Sequence, residues 1–238
     1  MTKGIEALSS MEYPGRVIII GRGPEGDDTV MYAITGRSPS SQARRLVVSN
    51  DRRYITVTPT DEKLLATGNP DLLIYHSVII DQGIAVSNGK QTADIPPQFR
   101  AGARPVSMLQ NALKAWEYEP DDPNFTPRIS GCVFDGAALS IIRRSANGSV
   151  ERKYFDVPGV PGKGKLIATY TGENITPLPS FSGEPLDVDI PYGTAEEAVR
   201  ALYETLRPAE GKADYRVAAA AVYRARNGKI AVAIKNRQ

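Results

Sequence analysis

Apolar residues in this chain come in short, β-branched runs broken by Gly, Pro, Asn and Asp, a pattern that predicts strands. In the first half the runs are Arg16 to Gly21 (RVIIIG), Thr29 to Gly36 (TVMYAITG), Leu46 to Ser49, Tyr54 to Pro59, Leu72 to Asp81 (LLIYHSVIID) and Gly83 to Ser87. Arg128 to Phe134, Leu139 to Arg144, Val150 to Val157, Leu166 to Gly172, Tyr215 to Arg226 and Lys229 to Lys235 follow. Asn88-Gly89, Asn147-Gly148 and Asn227-Gly228 stand between such runs, where both turn residues must tolerate positive φ. Tight hairpins and antiparallel pairing are therefore expected.

Two segments have a helical period instead. Ser107 to Tyr118 spaces Leu109, Ala112, Leu113 and Trp116 along one stripe, with Ser107 as the expected cap. Thr194 to Leu206 opens on the capping box Thr194-Ala195-Glu196-Glu197 and buries Ala198, Val199, Leu202 and Leu206, with Pro208 ending it. Asp61 to Thr67 predicts a further short helix, and Pro158 to Lys165 (PGVPGKGK) a Gly/Pro loop over a pocket. About a dozen strands cannot stay in one open sheet without curling or splitting. The expected fold class is α+β: a four-layer α/β/β/α sandwich of two mostly antiparallel sheets with a helix layer on each outer face. A barrel with flanking helices is the competing arrangement.

No composition shift divides the chain, so residues 1–238 are expected to form one domain, with residues 1–13 a flexible leader. Lys and Arg number 29 against 27 Asp and Glu, and a net charge of +2 gives no support for a nucleic-acid or membrane surface. The single Cys132 and the single His76 exclude a disulfide framework and any Cys- or His-built metal centre, so chemistry without metal or cofactor is expected. Residues 1–16 lack the apolar run of a signal peptide and no run is long enough to cross a bilayer, which points to the cytoplasm.

Two stretches carry candidate chemistry. Trp116 to Ile129 packs carboxylates, an amide, a hydroxyl and an arginine between three prolines, which hold polar groups at reduced entropic cost. Gly36 to Arg45 is cationic and rich in hydroxyls: the Arg37 fork could grip a phosphate while Ser38, Ser40 and Ser41 add donors, although such loops are commonly just solvated. Together they suggest a phosphorylated substrate meeting an acid or base. Arg44 and Arg45 open a strand, where only one can face the same way as Arg37. Tyr75 satisfies its hydroxyl in the core or presents it to a cavity, and His76 points to the opposite face unless the strand is bulged. Glu117 and Glu119 share a parity, and Glu119, held before Pro120, is the better fixed. Gly21 to Gly26 lacks the lysine of a phosphate loop and leads into a strand, so a plain turn is expected. Thr2, as an N-terminal nucleophile, is separated from the first strand by about a dozen mostly polar residues, too loose a tether for catalysis.

Tyr13-Pro14-Gly15-Arg16, the Arg37-Ser38 loop, the Tyr75 strand, Val86-Ser87-Asn88-Gly89-Lys90-Gln91-Thr92 and Tyr118-Glu119 leading into Asn124-Phe125-Thr126-Pro127-Arg128-Ile129 form an ordered set over nearly the whole chain. That set resembles the archaeal-type IMP cyclohydrolases. The resemblance implies an N-terminal-nucleophile-hydrolase-like sandwich without self-processing. The implied activity closes 5-formamidoimidazole-4-carboxamide ribotide to IMP with loss of water, the last step of de novo purine synthesis, with no cofactor. It further implies that Arg37 contacts the substrate, Tyr75 faces the reacting ring, and Glu119 orients or deprotonates the carboxamide or assists dehydration. Ser38, Arg44, Asn88, Asn124 and Arg128 are implied as further substrate-binding residues. The implied partner is a small-molecule purine nucleotide, with neither nucleic acid nor membrane, and a homo-oligomer is compatible with it. A non-catalytic purine-nucleotide-binding regulator on the same scaffold is the alternative.

Overall fold

The computed structural model describes residues 5–61 and 74–238. The expected Asp61 to Thr67 helix, residues 72 and 73 of the expected Tyr75 strand, and Thr2 therefore lie outside the described residues, Asp61 excepted. The strands are β1 (Arg16–Arg22), β2 (Asp28–Thr35), β3 (Arg44–Val48), β4 (Tyr54–Pro59), β5 (Tyr75–Ile80), β6 (Ile84–Ser87), β7 (Arg128–Val133), β8 (Ala137–Arg144), β9 (Val150–Val157), β10 (Lys163–Ala168), β11 (Leu186–Asp189), β12 (Arg216–Arg224) and β13 (Ile230–Asn236). They form two antiparallel sheets, ordered β11-β10-β1-β2-β12-β13 and β3-β4-β5-β6-β7-β8-β9. The molecule is thus α+β, with α1 (Pro39–Gln42) a single turn, α2 (Pro105–Leu113) and α3 (Ala195–Thr205).

The burial of β1 and β2 explains why their sequences read as continuous apolar runs instead of alternating ones. Every residue of β2 is buried, as a strand covered on both faces must be. Residues of both sheets share one apolar core, in which the Ile20 side chain of β1 sits where a side chain on Gly131 of β7 would have to go. Met108, Leu109, Ala112 and Leu113 of α2 form a second core with Ala85, Cys132, Ala138 and Ile142 of the seven-stranded sheet. Ala198, Val199 and Leu202 of α3 join the main core, where the helix meets β2, β12 and β13. In α3 the expected capping box is present: Thr194 Oγ1 accepts from Glu197 N, and Glu197 Oε2 accepts from Thr194 N.

Four expectations need correction. Helix α2 begins at Pro105 with Arg104 at the cap position and no side-chain cap, because proline at the first helical position has its φ already set. Ser107 lies inside the helix, which ends before Trp116, whose indole instead donates to Asp94 Oδ2 at 2.7 Å. Asn147-Gly148 and Asn227-Gly228 do turn β8 into β9 and β12 into β13, but Asn88-Gly89 is no hairpin. There Gly89 is extended and a 3-10 turn, Lys90–Asp94, carries the chain away, because the Asn88 side chain is occupied in holding β7. Lys163 to Lys165, expected in a loop, open β10, with Lys165 opposite Ile20 of β1. The leader is held from Ile5 onward: Ile5 and Leu8 of a 3-10 turn, Ile5–Ser10, are buried in the main core and Tyr13 bridges to Gly172.

Candidate active site

In an antiparallel meander alternate strands run the same way, so the first residues of β3, β5 and β7 come to one end of the sheet. Those residues are Arg44, Tyr75 and Arg128, and all three are buried. The other sheet brings Arg16, the first residue of β1, and Tyr32 of β2 to the same place. The Tyr32 and Tyr75 hydroxyls meet across the two sheets at 2.7 Å. Arg16 is set by the chain before it. Gly15 has φ +75° and lies so close to Thr169 that a Cβ would stand 2.0 Å from its hydroxyl, and that hydroxyl accepts from Arg16 N at 3.1 Å.

Glu119 enters from the loop after α2 and is only 2% exposed. Its amide donates to Thr126 O at 2.9 Å, which closes the segment into a compact loop. Asp121 ties that loop inside, accepting from Thr126 N at 2.6 Å and pairing with the Thr126 hydroxyl, which also meets Tyr170 Oη at 2.5 Å. Glu117, of the same parity, is exposed, and only its carbonyl takes part, accepting from Arg128 Nε at 2.8 Å. Arg128 further donates to Gln91 Oε1 at 3.1 Å and lies over the Trp116 ring. Its Nη1 stands 3.5 Å from Glu119 Oε1, a charge contact without hydrogen-bond geometry.

Burial pushes the Glu119 carboxyl up to about 7; Asp121 adds to this, while Arg16 and Arg128 pull the other way and do not cancel it. Burial likewise lowers Arg44 and Arg128, with Arg16 adding its like charge to each. Arg16 is the exception: burial alone would lower it, but Tyr75, Glu119 and Tyr32 outweigh burial and its pKa rises well above the ordinary arginine value. Tyr32 rises well above an ordinary phenol, through burial first and Tyr75 second. Among the described residues Glu119 Oε1, Arg16 Nε and both Nη atoms of Arg44 are buried without a hydrogen-bond partner in the chain. Such groups are costly unless a ligand meets them. The donor set is nitrogen-rich and cationic around one carboxylate, which suits an anionic, oxygen-bearing molecule. Among the described residues no cluster of three metal-ligating side chains occurs.

The remaining sequence candidates lie around this set. Arg37 is partly exposed; its Nη1 donates to Asn174 Oδ1 at 3.0 Å and Ile175 O at 3.3 Å, and its guanidinium lies over the Tyr13 ring. Tyr13 stacks on Tyr170, so a line of contacts joins Arg37 to the Glu119 loop. Ser38 is exposed and caps α1, accepting from Ser41 N at 3.1 Å. Asn88 is buried and spends its amide on Pro127 O, Ile129 N and Gln91 Nε2. Asn124 Oδ1 accepts from Leu178 N at 3.0 Å. His76 is exposed beside Thr56 and Tyr54, on the face away from Tyr75. Sequence reasoning left out Arg16 and Tyr32. A cation opening an otherwise apolar strand, and a phenol in a run buried throughout, were the available signals, the same ones that singled out Arg44 and Tyr75.

Comparison with known proteins bears on this arrangement. A family model described as "IMP cyclohydrolase-like protein" matches residues 13–228, which include every side chain just described. The chain is 31% identical over 180 residues to an IMP cyclohydrolase of Methanopyrus kandleri, covering 75% of this chain and 84% of that protein. It is 35% identical over 136 residues to that of Haloquadratum walsbyi, covering 56% and 63%, and 27% identical over 186 residues to that of Methanocaldococcus jannaschii, covering 78% and 83%. With the match running from Tyr13 through the buried arginines, the tyrosine pair and Glu119 to the β12–β13 turn, the chain belongs to the IMP cyclohydrolase-like family.

Proposed function

We propose that this chain is an IMP cyclohydrolase, closing 5-formamidoimidazole-4-carboxamide ribotide to IMP with release of water. Family membership supports the assignment, and the observation that carries the mechanism is Glu119: a buried carboxyl, held up to about 7, with one oxygen unpartnered among the described residues. An amide nitrogen is a poor nucleophile, so the reaction needs alignment, a base for the departing proton and a donor for the formyl oxygen. Glu119 takes a proton from the carboxamide nitrogen as the new C–N bond forms. Tyr75, Arg16 and Arg44 stabilise the negative charge that develops on the formyl oxygen. Glu119, now protonated, returns the proton to that oxygen, and the proton lost by the formamido nitrogen is the second one the oxygen takes as it leaves as water and the ring becomes aromatic. Arg128 and Gln91 orient the carboxylate, and Asn88 and Asn124 fix the loops. The more exposed Arg37 and Ser38 would meet the phosphate.

The reading extends to the scaffold. With α2 against the seven-stranded sheet and α3 against the other, the contacts support a four-layer α/β/β/α arrangement of the N-terminal-nucleophile-hydrolase kind. The substrate is a small nucleotide, and among the described residues no helix is long and apolar enough to cross a membrane. We assign it to the cytoplasm. The test is conversion of the formamido ribotide followed by IMP formation. Purified protein should accelerate it far above the spontaneous rate, whereas IMP binding with an unchanged cyclisation rate would identify a regulator and overturn the proposal.

A further inference from the structure

We infer that Tyr32 is a positioning residue for ring closure, its hydroxyl donating to the Tyr75 hydroxyl and thereby aiming the Tyr75 proton at the substrate oxygen. The inference rests on the cyclohydrolase reading and adds a residue to it. Tyr32 is fully buried and cannot itself reach a ligand, whereas Tyr75 heads β5 at the edge of the polar cluster. The two oxygens are 2.7 Å apart and either could donate. The surroundings decide which does. The charged groups facing Tyr32 are Arg16 and Arg44, and a guanidinium accepts nothing. Among the described residues the Tyr75 oxygen is the one acceptor that the Tyr32 hydroxyl has. Donation in the other direction would leave the Tyr32 proton buried and unmet, which is disfavoured. Tyr32 therefore donates, and the single Tyr75 proton is left for the substrate. A hydroxyl that accepts one hydrogen bond is a better donor of the next, so the pair sharpens Tyr75 as a donor to the developing oxyanion without a proton leaving either phenol.

The experiment is a double-variant cycle in the cyclisation assay, read after wild-type acceleration has been established. Tyr32→Phe removes one buried oxygen and keeps the ring. It should lower kcat about tenfold with KM within about twofold of wild type, since the lost interaction matters only as charge develops. In a Tyr75→Phe background the same change should do nothing further, because Tyr32 acts only through Tyr75. An unaltered kcat in Tyr32→Phe, or losses that multiply in the double variant, overturns the inference. Should Tyr32→Phe fail to fold, wild-type NMR gives the answer: a slowly exchanging Tyr32 hydroxyl proton with a cross-peak to Tyr75 is expected, and its absence counts against the pair. Wild type that leaves the spontaneous rate unchanged removes the cyclohydrolase reading and this inference with it. Active wild type beside an unaffected Tyr32→Phe removes this inference alone.

Discussion

Glu119 is a carboxyl with three arginines within electrostatic reach and a pKa that nonetheless rises to about 7. Burial wins because solvent lost on both sides of the carboxylate is not returned by a 3.5 Å contact without hydrogen-bond alignment. At neutral pH the group is thus divided between a base and an acid, as a residue that takes and then returns one proton requires. If it acts first as the base, kcat/KM should rise with pH and level off above about 7. Glu119→Gln should lower kcat by roughly 10²–10⁴-fold and abolish that inflection. The same shift has a stability consequence. The folded chain keeps this proton up to about pH 7 whereas the unfolded chain releases it near 4.5, so the folded state binds more protons in between. The stabilisation is complete below 4.5 and lost as pH rises through 7, roughly 3 kcal/mol in all. Glu119→Gln should accordingly unfold at higher temperature than wild type near pH 8, and the gap should shrink as pH falls toward 4.5.

At the scale of elements, the loop from Glu119 to Thr126 is a machine part tied internally by the Asp121 side chain. Asp121 accepts from both the amide and the hydroxyl of Thr126, and Thr126 O in turn accepts from Glu119 N. Asp121→Ala should cost about 1–3 kcal/mol and lower kcat more than it raises KM, because it loosens the proposed base and leaves the other side chains of the cluster in place. Paired thermal unfolding and steady-state kinetics check this. Elements of this kind differ in how far the sequence betrays them. The apolar runs of β1, β2 and β12 were legible because two-sided burial leaves no polar positions to confuse the period. Helix α3 was legible because its cap is chemical, a Thr and a Glu at fixed spacing. Asn88-Gly89 misled because an asparagine amide can bond a neighbouring strand as well as its own turn, and composition cannot tell the two apart. The start of α2 was misread for a related reason: Ser107 looks like a cap, but Pro105 had already set the first turn.

At the scale of the molecule, the polar cluster draws on strands, a loop and a tyrosine pair that span both sheets, and that was only half legible. Arg44, Tyr75, Glu119 and Arg128 could be nominated one at a time from local character. Arg16 and Tyr32 could not be joined to them without the pairing of Tyr32 beside Ile18, which only the register fixes. A ligand that fits this place holds both sheets at once. IMP at about a hundred times its Kd should therefore raise global stability by about 2.7 kcal/mol, seen as a shift of the whole unfolding transition. A change confined to protection of the Glu119 loop would speak against a site shared between the sheets.

The last strand of one sheet and the first of the other are also joined by a side-chain amide. Asn236 Oδ1 accepts from Leu46 N at 2.8 Å and its Nδ2 donates to Leu46 O at 3.0 Å, two residues along β3 from Arg44. This clasp imitates one rung of backbone ladder between two edges that, among the described residues, otherwise meet only through apolar packing. Asn236→Ala should therefore behave as a loosened hinge pin. On gradual heating its activity would fade several degrees before the core melts, whereas in the wild type the two losses would coincide.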